Sequence, residues 1–114
     1  PTVIADAKPA MKVVCDEVFG PVVSLLPYDD IDAVFRTVSA GRYGLQTGIF
    51  TNSTELAIRA VRSLRTGGVI INGSSTWRTD QLAYGGVKDS GIGREGPRYS
   101  IRDMTEERMV LFNY

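Results

Sequence analysis

Apolar residues along this chain fall alternately into short continuous runs and into stripes at helical spacing. Thr2-Val3-Ile4 reads as a short extended segment, and Lys12-Val13-Val14-Cys15 as a second one. Val22 to Tyr28 is apolar, β-branched at its start and closed by Pro27, which suits a buried strand ending near the proline. Ile31, Val34, Phe35 and Val38 then recur at i, i+3, i+4 and i+7, the spacing of one helical face. The predicted helix starts at an N-cap on Asp29 or Asp30 and runs to about Ala40. Gly41 is expected to stop it in the left-handed conformation, which a residue without Cβ adopts freely.

The alternation continues. Gly48 to Thr51 fits a strand, and Asn52 or Ser53 caps a helix, with Glu55 spaced to reach back from the third position after Asn52. Leu56, Ala57, Ala60, Val61 and Leu64 form its buried stripe, which ends at Gly67-Gly68. Val69-Ile70-Ile71-Asn72, apolar on consecutive positions, predicts a central strand covered on both faces. Gly73 to Gly96 is glycine-rich and too long for a plain connector, which marks it as a functional segment. Pro97 suits the first turn of a helix over about Arg98 to Thr105, and Met109 to Phe112 makes a last strand. Strands alternating with helices imply an α/β fold with a partly parallel sheet.

Composition narrows the function. The chain has 114 residues, 43% of them hydrophobic, as expected for one small domain with a core. Thirteen basic residues balance thirteen acidic ones, which excludes the positive excess that coats nucleic acid or an anionic membrane. No apolar stretch approaches the roughly twenty residues that cross a bilayer. A single cysteine rules out an internal disulfide and points to a reducing, cytoplasmic setting. The start at Pro1, without an initiator Met, reads as the start of a fragment.

The absence of histidine removes Ser-His-Asp and Cys-His catalysis and histidine metal sites together. No metal site is expected. Cys15 sits beside Asp16 and Glu17, whose charge opposes thiolate formation, so it reads as structural. Gly91-Ile92-Gly93-Arg94-Glu95-Gly96 matches G-x-G-x-x-G by letter, but it follows a loop and not a strand, and Glu95 would repel a phosphate. Lys88 lacks the hydroxyl neighbour of a P-loop lysine. Arg59, Arg62 and Arg65 share one helical side and read as a solvated face. Glu17-Val18-Phe19-Gly20-Pro21 places a carboxylate two residues from an aromatic ring at a turn. Such a pair can accept hydrogen bonds from vicinal ribose hydroxyls and offer a flat apolar surface to a heterocycle, or be a plain charged turn beside a core ring.

Five segments in order resemble the aldehyde dehydrogenase superfamily. Glu17 to Val22 resembles its E-x-F-G-P-V, Tyr43-Gly44-Leu45 its Y-G-L, and Gly67 to Asn72 its G-x-V-x-x-N. Tyr84 to Gly96 resembles F-G-G-x-K-x-S-G-x-G-R-E, and Met104-Thr105-Glu106 resembles Y-T-E. The resemblance spans almost the whole chain. It implies that residues 1–106 are the rear half of the catalytic domain and residues 107–114 a C-terminal oligomerisation strand.

By the same resemblance Glu17 binds the nicotinamide ribose of NAD or NADP, and Phe19 packs near the nicotinamide. Glu95 takes part in a proton relay, and Asn72 closes a strand beside the active site. The family's nucleophilic cysteine, its general-base glutamate, its oxyanion-stabilising asparagine and its dinucleotide-binding domain have no match here. The chain is therefore expected to be inactive alone and to work with the remainder of its own enzyme, as a homo-oligomer acting on a small aldehyde. The alternative is a non-catalytic structural or oligomerisation module of the same fold.

Two departures concern the substrate pocket, which the resemblance assigns to Trp77, Arg78 and Tyr84. Tyr84 replaces the usual phenylalanine and makes the pocket more polar. Arg78, in the loop Ser74 to Asp80, either pairs with an anionic substrate tail such as a carboxylate or phosphonate, or forms a loop ion pair with Asp80. The loop is similar to those of lactaldehyde, semialdehyde and phosphonoacetaldehyde branches.

Overall fold

The computed structural model describes residues 1–114. Parallel strands need a crossover long enough to return the chain to the same end of the sheet, usually a helix. Two such units are present. In the first, β1 (Thr2–Ile4) pairs in parallel with β2 (Val22–Ser24), with Thr2 opposite Val22, across a crossover holding α1 (Lys12–Cys15). In the second, β3 (Gln46–Ile49) pairs in parallel with β4 (Gly68–Ile71), with Gln46 opposite Gly68, across α3 (Thr54–Ser63). Between the units runs α2 (Ile31–Ala40), and α4 (Pro97–Asp103) follows the glycine-rich loop. This is the α/β architecture with parallel pairing that the sequence pattern implies.

The core belongs to the second unit. Phe35 of α2, Ala60 of α3 and Leu64 are buried together, with Ile31, Val38, Leu56, Ile49 and Val69 packed around them. These are the striped positions of both helices facing the β3–β4 pair. Only six of 114 residues are buried, while Phe19, Phe50 and Ile92 are among many apolar side chains left exposed. A parallel sheet is normally covered on both faces, so a large share of this chain's apolar surface lies open.

Several local expectations change on contact with the structure. Lys12–Cys15 is a short helix, because a turn at Lys8–Met11 starts it and the Cys15 amide donates to Met11 O. A two-residue apolar run carries no period to separate helix from strand. The ladder of β2 stops at Ser24, since β1 offers only three residues to pair. Ile71 is exposed, so β4 is not covered on both faces within this chain.

Helix ends show the same kind of difference. Asp30 is the N-cap of α2, its carboxylate accepting from the Asp32 amide at 2.8 Å. That backbone donor, with help from Arg36, holds the Asp30 carboxyl below its ordinary pKa. Ser53, not Asn52, caps α3 through the Leu56 amide at 3.2 Å, which puts Glu55 one position too early to reach back. Gly41 is not left-handed but extended, at φ −57° and ψ 147°. Helix α3 ends at Ser63 and Leu64, ahead of Gly67-Gly68. Residues 104–114, including the expected strand Met109 to Phe112, carry no ladder within the chain and are exposed.

Candidate substrate and coenzyme site

The loop from Gly73 to Gly96 is seated against the second unit by missing side chains. A Cβ on Gly67 would overlap the Gly85 carbonyl oxygen, and a Cβ on Gly48 would come within 2.5 Å of Gly73 O. Glycine at these two places lets both limbs of the loop lie directly on the β3–β4 unit. Gln46 adds a hydrogen bond from Nε2 to Trp77 O at 3.1 Å.

Two of the expected pocket residues, Arg78 and Tyr84, meet the expected relay carboxylate Glu95 in this loop. Tyr84 and Glu95 exchange two backbone hydrogen bonds, at 3.1 and 2.6 Å, in an antiparallel bridge. Arg78 spans them. Its guanidinium carbon lies 4.4 Å from the Tyr84 ring centroid, and its Nη2 donates to Glu95 Oε2 at 3.0 Å. The ion pair that the sequence offered between Arg78 and Asp80 is made with Glu95 instead, because the bridge brings Glu95 opposite Tyr84 and beneath the guanidinium. An open depression of about 410 Å³ adjoins the cluster, lined by Arg78, Thr79, Asp80, Leu82, Glu95 and the start of α4. About half of the Arg78 side chain remains accessible, which leaves room for an incoming anion. Trp77 is half-exposed and does not line this depression.

Glu17 and Phe19 occupy the turn that leads into β2. Gly20 N donates to Val18 O and Val22 N to Gly20 O, so the backbone turns tightly just before the strand begins. The Phe19 ring is 94% exposed, and Glu17 is exposed and takes part in none of the four ion pairs. The turn thus leaves a carboxylate and an aromatic ring, two residues apart, both open to solvent. No hydrogen bond or ion pair joins this turn to the Arg78 cluster.

Other candidates resolve plainly. Gly91, Gly93 and Gly96 all have positive φ, but their segment follows a 3-10 turn at Lys88–Ser90 and no strand, as the sequence context implied. Cys15 is exposed, its thiol donating to Pro9 O at 2.8 Å. Arg59 pairs with Asp32 between α3 and α2. Asn72, left-handed at φ 56°, ends β4 and accepts from the Thr51 amide through Oδ1 at 2.8 Å. No cluster of metal-binding side chains is present. No helix is long and apolar enough to cross a membrane.

The contacts of Lys88 went unread in the sequence. Its Nζ donates to Ser39 O at 3.1 Å and to Gly41 O at 2.5 Å. Its neighbour Asp89 pairs with Arg42 at 2.8 Å, which raises the Arg42 pKa and keeps that side chain cationic. Ser90 Oγ accepts from the Gly44 amide at 2.9 Å. The available signal was that these residues and Tyr43-Gly44-Leu45 fall in two of the matching motifs.

Two parallel α/β units, with a glycine-seated loop packed on the second, form the frame in which these side chains stand. Residues 1–110 match the Aldehyde dehydrogenase family, and the chain belongs to it. It is 48% identical to 3-sulfolactaldehyde dehydrogenase of Priestia megaterium over 113 residues, 99% of this chain and 24% of that protein. Lactaldehyde dehydrogenase of Methanococcus maripaludis is 40% identical over 97 residues, 85% of this chain and 21% of the relative. Among solved structures, aldehyde dehydrogenase 21 from Physcomitrella patens, in complex with its reaction product succinate, superposes with a TM-score of 0.86. The identity is 43%, covering 91% of this chain and 22% of that one. The NAD+ complex of an aldehyde dehydrogenase from Bacillus cereus gives 0.85 at 35% identity, covering 91% and 21%. The chain thus spans about a quarter of the length of these relatives.

Proposed function

We propose that this chain is part of an enzyme that oxidises an aldehyde bearing a small anionic group to the corresponding carboxylic acid, using NAD or NADP. The observation that carries the reading is the Arg78 guanidinium, stacked on Tyr84, paired with Glu95 and half accessible beside an open depression. A guanidinium presents a planar fork of donors that matches a carboxylate or sulfonate, and an aromatic platform fixes its plane. The names of two relatives agree with an anionic substrate or product, sulfolactaldehyde in one and succinate in the other.

In this reading Glu17 accepts hydrogen bonds from the nicotinamide ribose, and Phe19 covers one side of the nicotinamide. NAD or NADP held there would supply the hydride acceptor for the oxidation. Trp77, Arg78 and Tyr84 form the substrate pocket, with Arg78 orienting the anionic end so that the aldehyde end points away from the loop. Glu95, a carboxylate held by Arg78, receives a proton in relay. The nucleophile comes from the part of the enzyme upstream of residue 1, and the exposed apolar side chains of this chain pack against that part. Residues 107–114 add as a strand to a sheet edge of a second copy, a mode in which backbone hydrogen bonds supply the contact. The exposed apolar run Met109 to Phe112 supports this.

The test is coenzyme reduction by the full-length protein given aldehydes of equal length that end in a carboxylate, a sulfonate or a methyl group. Reduction of NAD or NADP with matching formation of acid, faster at low concentration for the anionic pair, is the expected result. Equal use of the uncharged aldehyde would overturn the substrate assignment, and no coenzyme reduction with any of them would overturn the activity.

A further inference from the structure

Helix α2 reaches its end with no basic residue in its last turn and with an extended Gly41 whose amide donates to Thr37 O at 3.2 Å, leaving Ser39 O to a donor from elsewhere. The C-terminal carbonyls of a helix carry a partial negative charge and need donors. Here the donor comes from 47 residues further along the chain, as the Lys88 ammonium takes both Ser39 O and Gly41 O. Ser39 is itself wired to α3, since its hydroxyl donates to Ser63 O at 2.9 Å and accepts from the Arg65 amide at 3.3 Å. Lys88 therefore grips the point where both helices end.

The grip is reinforced around it. Val87 N donates to Gly44 O at 2.9 Å and Asp89 N to Arg42 O at 3.0 Å, beside the Arg42–Asp89 ion pair. Lys88 holds φ +58°, a conformation that a lysine adopts only when its surroundings impose it. From this anchor the chain runs back to Tyr84 and forward to Glu95, where the two backbone bonds of the bridge close the loop into a ring. One side of the ring is fixed to α2, and the other carries the platform and the partner of Arg78.

We propose that Lys88 is a positioning residue for substrate recognition: by anchoring the ring to the end of α2 it sets where the Arg78–Tyr84–Glu95 cluster stands. The proposal rests on the reading of Arg78 as the anion-binding group. Loss of the ammonium leaves the α2 carbonyls without their donor and frees the ring to shift, and small displacements of a binding group weaken its contacts steeply.

The test uses the full-length enzyme with an anionic and an uncharged aldehyde of equal length. Lys88→Met is expected to raise KM for the anionic aldehyde about tenfold while changing kcat and the uncharged KM less than about twofold. Lys88→Arg, which keeps a cationic donor, restores much of the loss. In an Arg78→Met background, Lys88→Met should then have no further effect on discrimination, because the two residues act as one unit. A Lys88→Met variant that lowers melting temperature and impairs both aldehydes equally would overturn the proposal in favour of a purely structural lysine. An unchanged variant would overturn it too. If Lys88→Met does not fold, Lys88→Gln carries the same comparison, with loss of discrimination in favour and equal impairment against. Should Arg78→Met alone leave discrimination intact, the reading of the site fails separately from the role of Lys88.

Discussion

Arg78 lies 4.4 Å over the ring of Tyr84 while its Nη2 holds the Glu95 carboxylate at 3.0 Å. An arginine fixed on one face by a ring and on one edge by a carboxylate has its remaining donors aimed in a defined direction. Arg78→Met is expected to raise KM for an anionic aldehyde by about ten- to a hundredfold, the range of one or two lost charge-assisted hydrogen bonds. Steady-state kinetics of the full-length enzyme check this, and an uncharged aldehyde of the same length serves as the control that should not move.

Tyr84 is predicted to act through its ring more than its hydroxyl. Tyr84→Phe keeps the cation–π contact and should change the anionic KM by less than about twofold, whereas Tyr84→Leu removes a platform worth about 0.5–1 kcal/mol at an exposed site. The expected order of KM is wild type, then Phe, then Leu. A Phe variant as impaired as the Leu variant would assign the effect to the hydroxyl.

Glu17→Gln is predicted to weaken the grip on the coenzyme ribose while leaving the fold intact, since Glu17 is exposed and forms no ion pair within the chain. Replacing a charged acceptor by a neutral one costs on the order of 1 kcal/mol, or about fivefold in hydride-transfer rate. Single-turnover measurement of coenzyme reduction reads it directly. Unchanged rates would remove Glu17 from the coenzyme site.

Gly67→Ala is predicted to destabilise the enzyme by about 1–3 kcal/mol, because the new methyl group overlaps the Gly85 carbonyl and backbone must move to admit it. Urea denaturation gives the value. The same variant should lose discrimination between anionic and uncharged aldehydes, since Gly85 lies next to Tyr84.

Acid should weaken the start of α2. The Asp32 amide and Arg36 depress the folded-state pKa of Asp30, so its contribution is present above the ordinary aspartate value of about 3.9 and is lost as pH falls through the lower folded value. Comparison of wild type with Asp30→Asn by denaturant titration is expected to show a difference at neutral pH that shrinks below about pH 4. A constant difference at all pH values would exclude a role for the charge.

The elements that carry a strong period were legible. Ile31, Phe35 and Val38 announced α2, Leu56, Ala60 and Leu64 announced α3, and both pack where the stripes imply. Lys12–Cys15 failed because a helix of a single turn holds too few residues to show a period. The left-handed stop assigned to Gly41 failed for a different reason: beyond the Gly41 amide on Thr37 O, the donor to Ser39 O and Gly41 O comes from Lys88, and a local rule sees only neighbours in sequence. The partner of Arg78 was missed in the same way. Asp80 is close along the chain, but the bridge that delivers Glu95 is a tertiary contact.

No hydrogen bond or ion pair joins the first parallel unit to the rest of the chain, and only the charge of Asp16 reaches across to Arg42, which has a consequence for coupling. The turn bearing Glu17 and Phe19 and the ring bearing Tyr84 and Glu95 can respond to their ligands as separate bodies. Cooperation between the two ligands must then be relayed through neighbouring parts of the enzyme, and substitutions that retune one affinity should leave the other largely untouched.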